Sequence, residues 1–513
     1  MTADYTQAPW SVNGSPHSAA QATGRAPLPQ SPAMPAAADP PRVFQQVADP
    51  AMLSGEDYLV VEELRDRVST RLPFEDRNYA PGPRRELTKK LIRDEYNQWL
   101  LHQASQGRTA PGEDVEDRIF AAVLAELDGL GRLAPLLART NVEDIFFEGC
   151  EPTVLRLTSG ELVAGPPIAA SDEELEQLLR AIGSRSGDGQ TSREFSSANP
   201  ILNVRLKGVT DLGARLQAAM DVLPRTSGVI RIHRFSDPSL EDLRRLNMID
   251  TPMHAFLHYA ILAGASPLVS GNPGVGKTTL LRALGNTIPY NNVVVTVEDE
   301  RELGLHLPRF DPETGQMVKR HAVCRSFESR LPNAEGMGGF DMGDALHEAL
   351  RMSPTWVPVG EVRGGYVTSL LEAATSGIAS VMCTIHARSA AGVFKKVLIN
   401  ALKANPAPEP QLVMASLSEL DLVIHVHRDR DYNRYVSGVY ELGEVGDSGR
   451  PALTPIFEEP RGGGRAVARG AGALSDELRD RMEAAGFEAE QWLDPGRTRS
   501  DWQLPPRRGG WVS

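Results

Sequence analysis

Apolar and polar positions change rhythm several times along the chain. Residues 1–55 are rich in Pro, Ala, Gln and Ser without apolar periodicity; such a stretch buries too little surface to offset its ordering entropy and reads as disordered. Helical spacing begins in 85–104, where Leu87, Leu91, Tyr96 and Leu100 recur at intervals of three to five residues, and a second helix covers 117–130, stopping at Gly129 and Gly131. The span 56–130 is therefore a helical region. Strand-like runs follow at 144–147, 153–157, 201–206, 215–220 and 229–233, with a helix at 172–185 among them. They predict a small α+β domain over 131–237, followed by a linker at 238–250.

From Thr251 strands and helices alternate. Apolar runs at 267–270, 292–298, 355–360 and 379–385 are each followed by polar or helical sequence. Runs that are apolar throughout suit strands buried on both faces, so 251–459 predicts an α/β domain with a mostly parallel sheet. Two later runs, 422–427 and 434–440, read as an added hairpin. Residues 460–513 read as a flexible Gly/Arg-rich tail with one short helix at 475–485.

Composition narrows the class. Hydrophobic residues at 41% and charged residues at 24% suit a chain that mostly folds, and 513 residues exceed a single core. A net charge of −13 argues against direct nucleic-acid coating. Cys150, Cys324 and Cys383 are scattered without a CxxC pair, which suits a reducing cytosol rather than a zinc site or disulfide frame. The first residues lack a secretory signal pattern, and no run approaches the ~20 apolar residues of a spanning helix. A cytoplasmic protein, peripheral at most to a membrane, is expected.

The strongest chemical signal is Gly271-Asn272-Pro273-Gly274-Val275-Gly276-Lys277-Thr278, with Thr279 next, between a strand and a helix. It matches GxxxxGK[ST] at every fixed position. Loop amides and the helix N-terminus would cradle the phosphates of ATP, Lys277 would reach the terminal phosphates, and the Thr278 hydroxyl would ligate Mg²⁺. A P-loop also needs a metal-side acid and a group for the attacking water. Glu361, ending the run 356–360, fits the first, with Thr278 as its partner at the metal. The cluster Glu298-Asp299-Glu300-Arg301-Glu302 fits the second, or an ordinary acidic helix start. His386, after 380–385, fits either a γ-phosphate contact or a structural hydrogen bond. Arg363 fits a contact to nucleotide or to a neighbouring subunit. Nothing intrinsic distinguishes Arg205, Arg215, Arg231 and Arg234.

In order along the chain, several blocks resemble the type II/IV secretion ATPases, most of all the CpaF/TadA branch of tight-adherence pili, with VirB11-type ATPases as cousins. They are 131–137 with Asp144-Ile145, the loop 271–278, Val297-Glu298-Asp299 with Glu302-Leu303, 330–336, 350–354, 359–364 and Cys383-Thr384-Ile385-His386-Ala387. The resemblance implies a RecA-like P-loop ATPase domain behind a smaller N-terminal domain. It implies Glu361 as the Walker B glutamate, Glu298, Asp299 and Glu302 as the acids near Mg²⁺ and water, and His386 as a nucleotide-state sensor. It also implies Arg205 and Arg215 reaching the phosphates from the N-terminal domain, with Arg231 and Arg234 in a basic segment before the linker. The implied assembly is a homohexamer that hydrolyses ATP and drives an inner-membrane platform for pilus assembly or protein secretion. A DNA-transfer ATPase and a nucleotide-binding scaffold with little turnover are the alternatives. Three positions depart from the pattern: Ile378 replaces the first His-box histidine, Tyr366 a glutamate and Asn203 an aspartate.

Overall fold

In the computed structural model the described residues are 53, 55–72, 81–109, 111–128, 130–185, 194–206, 209–210, 212–233, 237–311, 314–330 and 337–494. The expected disordered N-terminal tail lies outside them apart from residues 53 and 55, as do Arg234 and residues 331–336. The first three helices, α1 (Gly55–Arg71), α2 (Pro81–Ser105) and α3 (Glu113–Asp128), close around Tyr58, Leu64, Ile92, Tyr96, Ile119 and Val123. α1 lies in the helical region expected over 56–130, although the pattern assigns no separate helix there: its buried positions 58, 61, 64 and 68 have helical spacing, but charged residues surround them.

A short helix, α4 (Leu133–Ala138), leads into β1 (Val142–Glu148), β2 (Val154–Leu157), β3 (Leu162–Ala164), α5 (Asp172–Arg185), β4 (Ile201–Leu206), β5 (Ala214–Ala219) and β6 (Ser227–Ile232). The strands form an antiparallel sheet in the order β3-β2-β1-β6-β5-β4. Leu136 of α4 and Leu175, Leu179 and Ile182 of α5 pack with its alternate positions, among them Ile145, Leu155, Leu216 and Ile230. The buried Asp144 accepts hydrogen bonds from Arg156 (2.9 Å) and Arg231 (2.8 Å), so Arg231 is engaged within this domain.

The expected linker is structured. Ser239 and Asp242 form a capping box at α6 (Leu240–Arg245), and Asp250 caps α7 (Thr251–Leu262) by accepting from the Met253 amide. Leu240 and Leu243 enter the core beneath. The helix is only six residues long, too short for its period to stand out.

The second domain continues through β7 (Pro267–Gly271), α8 (Lys277–Gly285), β8 (Val293–Glu298), the ribbon β9 (Arg309–Asp311) and β10 (Gln316–Val318), β11 (Val323–Glu328), α9 (Met342–Leu350) and β12 (Trp356–Val359). Then come α10 (Val367–Thr375), β13 (Ser380–His386), α11 (Gly392–Ala401), α12 (Pro410–Leu417), β14 (Leu422–Arg428), β15 (Arg434–Val445), β16 (Pro451–Glu458), β17 (Val467–Ala468), α13 (Asp476–Ala484) and α14 (Ala489–Leu493). Its sheet runs β11-β8-β12-β13-β7-β14-β15-β16-β17, parallel from β11 to β14 and antiparallel beyond. Alternate strand residues feed two cores. Val294, Met382 and Ile424 meet α7 and α8, while Val295, Val381 and Val423 belong to the core of α9–α12.

The flexible tail expected from residue 460 is also corrected, as far as residue 494. Leu474, Leu478, Met482, Phe487, Trp492 and Leu493 are buried in the α7–α8 core, and the Phe487 ring meets those of Phe256 and Tyr259 at 5.9 and 5.8 Å. There are two α-helices here rather than one. Their apolar residues are thinly spread among Gly, Arg and Glu, which hid the pattern. Among the described residues no helix is long and apolar enough to cross a membrane.

Candidate functional site

The parallel strands bring their carboxyl ends to one edge of the sheet, and the chemistry collects there. β7 ends at Gly271, where a Cβ would lie 2.5 Å from the Val426 carbonyl oxygen; only glycine lets the loop leave the sheet so close to β14. Gly276 adopts φ 98° and caps the start of α8, whose first-turn amides have no partner within the helix. Lys277 is 6% exposed, and its ammonium donates to the Asn272 carbonyl and to His386 Nδ1, both at 3.0 Å. Burial lowers its pKa to about 8, against the opposing pull of Glu361.

An ammonium only donates, so Nδ1 of His386 accepts and its Nε2–H is directed at Glu361 Oε1, 3.0 Å away. Arg363 Nη2 donates to the other Glu361 oxygen at 2.7 Å. Burial opposes ionisation of Glu361, yet the hydrogen bonds from His386 and Arg363 prevail and hold its pKa at about 2. Lys277, His386, Glu361 and Arg363 thus form one continuous chain, drawn from α8, the end of β13 and the turn after β12.

That turn is held from several sides. The Thr384 hydroxyl donates to the Gly360 carbonyl at 2.7 Å, and Asn400 Nδ2 donates to the Val362 carbonyl at 3.4 Å. The Tyr366 hydroxyl donates to the Glu361 carbonyl (2.6 Å) and accepts from the Arg363 amide (2.7 Å). Sequence reasoning missed Thr384 and Asn400 as supports and treated Tyr366 only as a departure. The visible signal was a polar residue, Asn400, inside an otherwise apolar helix face. Ile378 is exposed before β13, at the strand end opposite His386, so that substitution leaves this chain's phosphate loop untouched.

The acidic cluster divides. Glu298 is fully buried; its Oε2 accepts from the Glu302 and Leu303 amides, both 2.7 Å, and Thr296 Oγ1 lies 3.3 Å from Oε1. Burial raises its pKa to about 7 despite those amides. Glu298 thereby shapes the turn after β8. Asp299 accepts from the Ser329 hydroxyl. Glu300 and Glu302 face the N-terminal domain, where Arg215 Nε is 3.2 Å from Glu300 and His233 Nε2 is 3.5 Å from Glu302. Arg205 donates to the Leu212 carbonyl and lies 3.9 Å from Glu328. Both arginines expected at the phosphates thus lie at the junction of the two domains, each beside a carboxylate of the other.

A strand, a glycine loop and a helix with a buried lysine, flanked by a carboxylate at the end of a parallel strand, define an ATP-binding α/β protein of the P-loop kind. Residues 196–425 match the family described as type II/IV secretion system protein. A Mycobacterium tuberculosis protein named for conjugal transfer is 29% identical over 366 residues, covering 70% of this chain and 96% of the relative. PtlH of the Bordetella pertussis type IV secretion system is 33% identical over 195 residues, 37% of this chain and 52% of that protein. Among solved structures, the Brucella suis VirB11 ATPase aligns at 22% identity with a TM-score of 0.31, covering 61% of this chain and 94% of that one. Over residues 196–425 this chain is thus similar to type II/IV secretion system proteins, and it is related to the conjugal-transfer and PtlH proteins just described.

Proposed function

We propose that this chain is a Mg²⁺-dependent ATPase working as a homohexameric motor on an inner-membrane platform, for pilus assembly or protein secretion in the manner of the CpaF/TadA branch. The observation that carries the chemistry is the chain Lys277–His386–Glu361–Arg363. Lys277 would turn its ammonium from His386 to a phosphate, so His386 would report phosphate arrival to Glu361. Glu361, released from its partners, would orient the attacking water. Arg205 and Arg215 would leave Glu328 and Glu300 for phosphate oxygens as the domains close.

The residues present fit the metal. Among the described residues no three His, Cys, Asp or Glu side chains gather as a protein-only nest, which suits Mg²⁺ bound through the Thr278 hydroxyl, water and substrate phosphates, with Glu361 nearby. Bound there, Mg²⁺ would neutralise charge on the transferred phosphate.

The conjugal-transfer name of the M. tuberculosis relative, nearly all of whose length is matched, favours DNA transfer as the second reading. Phosphate release by wild type and Glu361→Gln, with light scattering on the same samples, tests the motor. We expect a ring-sized particle whose turnover falls at least a hundredfold in the variant while ATP still binds. ATP binding without turnover in wild type, in every assembly state, would leave a nucleotide-binding scaffold in place of the motor.

A further inference from the structure

The phosphate loop follows β7, and β7 lies between β13 and β14. The β13 side brings His386 to Lys277. On the other side, β14 runs past Val426, its last partner in β7, to Arg428; β15 starts with Arg434, directly opposite Arg428. Side chains directly opposite in a strand pair share a face, and like charges placed so repel. Both arginines adjoin the loop: a Cβ on Gly274 would lie 3.6 Å from Arg428 Nη1, and one on Gly276 3.7 Å from Arg434 Cδ. The turn between them is pinned, with the Asp429 carboxylate accepting from the Asn433 amide (2.9 Å) and from Asn433 Nδ2 (3.0 Å). Arg434 has Glu143 of β1 at 3.5 Å. Arg428 lies 5.0 Å from the centre of the Tyr432 ring and, among the described residues, has no carboxylate within ion-pair distance.

Two facing guanidinium groups beside a phosphate loop make sense around an anion. Glu361 and His386 lie on the β13 side, so a phosphate to be hydrolysed would face that way and the inner phosphates would face β14. We propose that Arg428 and Arg434 form a diphosphate clamp, gripping the inner phosphates of a nucleoside di- or triphosphate from the side opposite Glu361. The proposal rests on the nucleotide reading above, but it concerns binding and needs no hydrolysis to be tested.

The test is calorimetric titration of the full chain with ADP and, separately, inorganic pyrophosphate, for wild type, Arg428→Gln, Arg434→Gln and Glu143→Gln. Each arginine variant is expected to bind both ligands roughly tenfold or more weakly, the loss of a charge-assisted contact, while Glu143→Gln binds as wild type or tighter. Without ligand, the melting temperature of Arg428→Gln should hold or rise, because a like-charge neighbour is gone; a fall would overturn the like-charge account. ADP affinity within twofold of wild type in both arginine variants would overturn the clamp. A loss for ADP alone would move the arginines to the nucleoside, and a matching loss in Glu143→Gln would reduce Arg434 to an interdomain tie. If wild type binds neither ligand, the nucleotide reading falls and the clamp with it.

Discussion

At the residue scale, Glu298 and Glu361 show how burial and hydrogen bonding shift one side-chain type in opposite directions within one domain. Glu361 is held at about 2 by two cationic or N–H donors despite its burial, whereas Glu298 is pushed up to about 7 by complete burial that two amides only partly offset. The second shift has a testable sign. A carboxyl whose folded pKa is raised gives stability that is complete below its unfolded value near 4.5 and is lost as pH rises through about 7. Glu298→Gln keeps a carbonyl for the Glu302 and Leu303 amides and cannot ionise. Its unfolding free energy should match wild type near pH 4.5 and exceed it by roughly 1–3 kcal/mol at pH 8, read from urea melts across pH. A variant less stable than wild type at pH 8 would mean the charged form is the one the turn requires.

Among the elements, the C-terminal helices are part of the domain's core rather than an appendage. Trp492 is 4% exposed against the α7 layer, so Trp492→Ala should cost about 3–5 kcal/mol in urea unfolding; a loss below 1 kcal/mol would show the segment to be detachable. This is also where sequence reading stopped. Central strands such as β7, β8 and β13 are buried on both faces, and their unbroken apolar runs were legible. The edge strand β11 alternates exposed and half-buried residues, and α6, α13 and α14 draw their apolar contacts from a few spaced positions, so neither announces itself. The same division holds for the site. The phosphate loop, Glu361 and His386 stand at ends of legible strands. Arg428 and Arg434 matter only because β14 is inserted beside β7 from 155 residues further on, as in the pairing of Val426 with Gly271.

For the molecule as a whole, opposite charges meet where the two sheets face each other. The described residues from 53 to 494 fall in one compact unit, in which the ion pairs Arg215–Glu300 and Arg205–Glu328, and the contact of Glu302 with His233, whose pKa burial lowers, join the antiparallel sheet to the parallel one. If Arg215 must leave Glu300 to meet a phosphate, Glu300→Gln should strengthen ATP binding severalfold at low salt and flatten its salt dependence; weaker binding in a fluorescent-nucleotide titration would show the pair to support the site instead. An arginine that already holds a tethered carboxylate is a poor resting place for chloride or free phosphate. A small anion offers one weak contact against a partner that cannot diffuse away, while a polyphosphate brings several contacts at once. Such pairing would disfavour the commonest anions of any salt solution relative to a multivalent one.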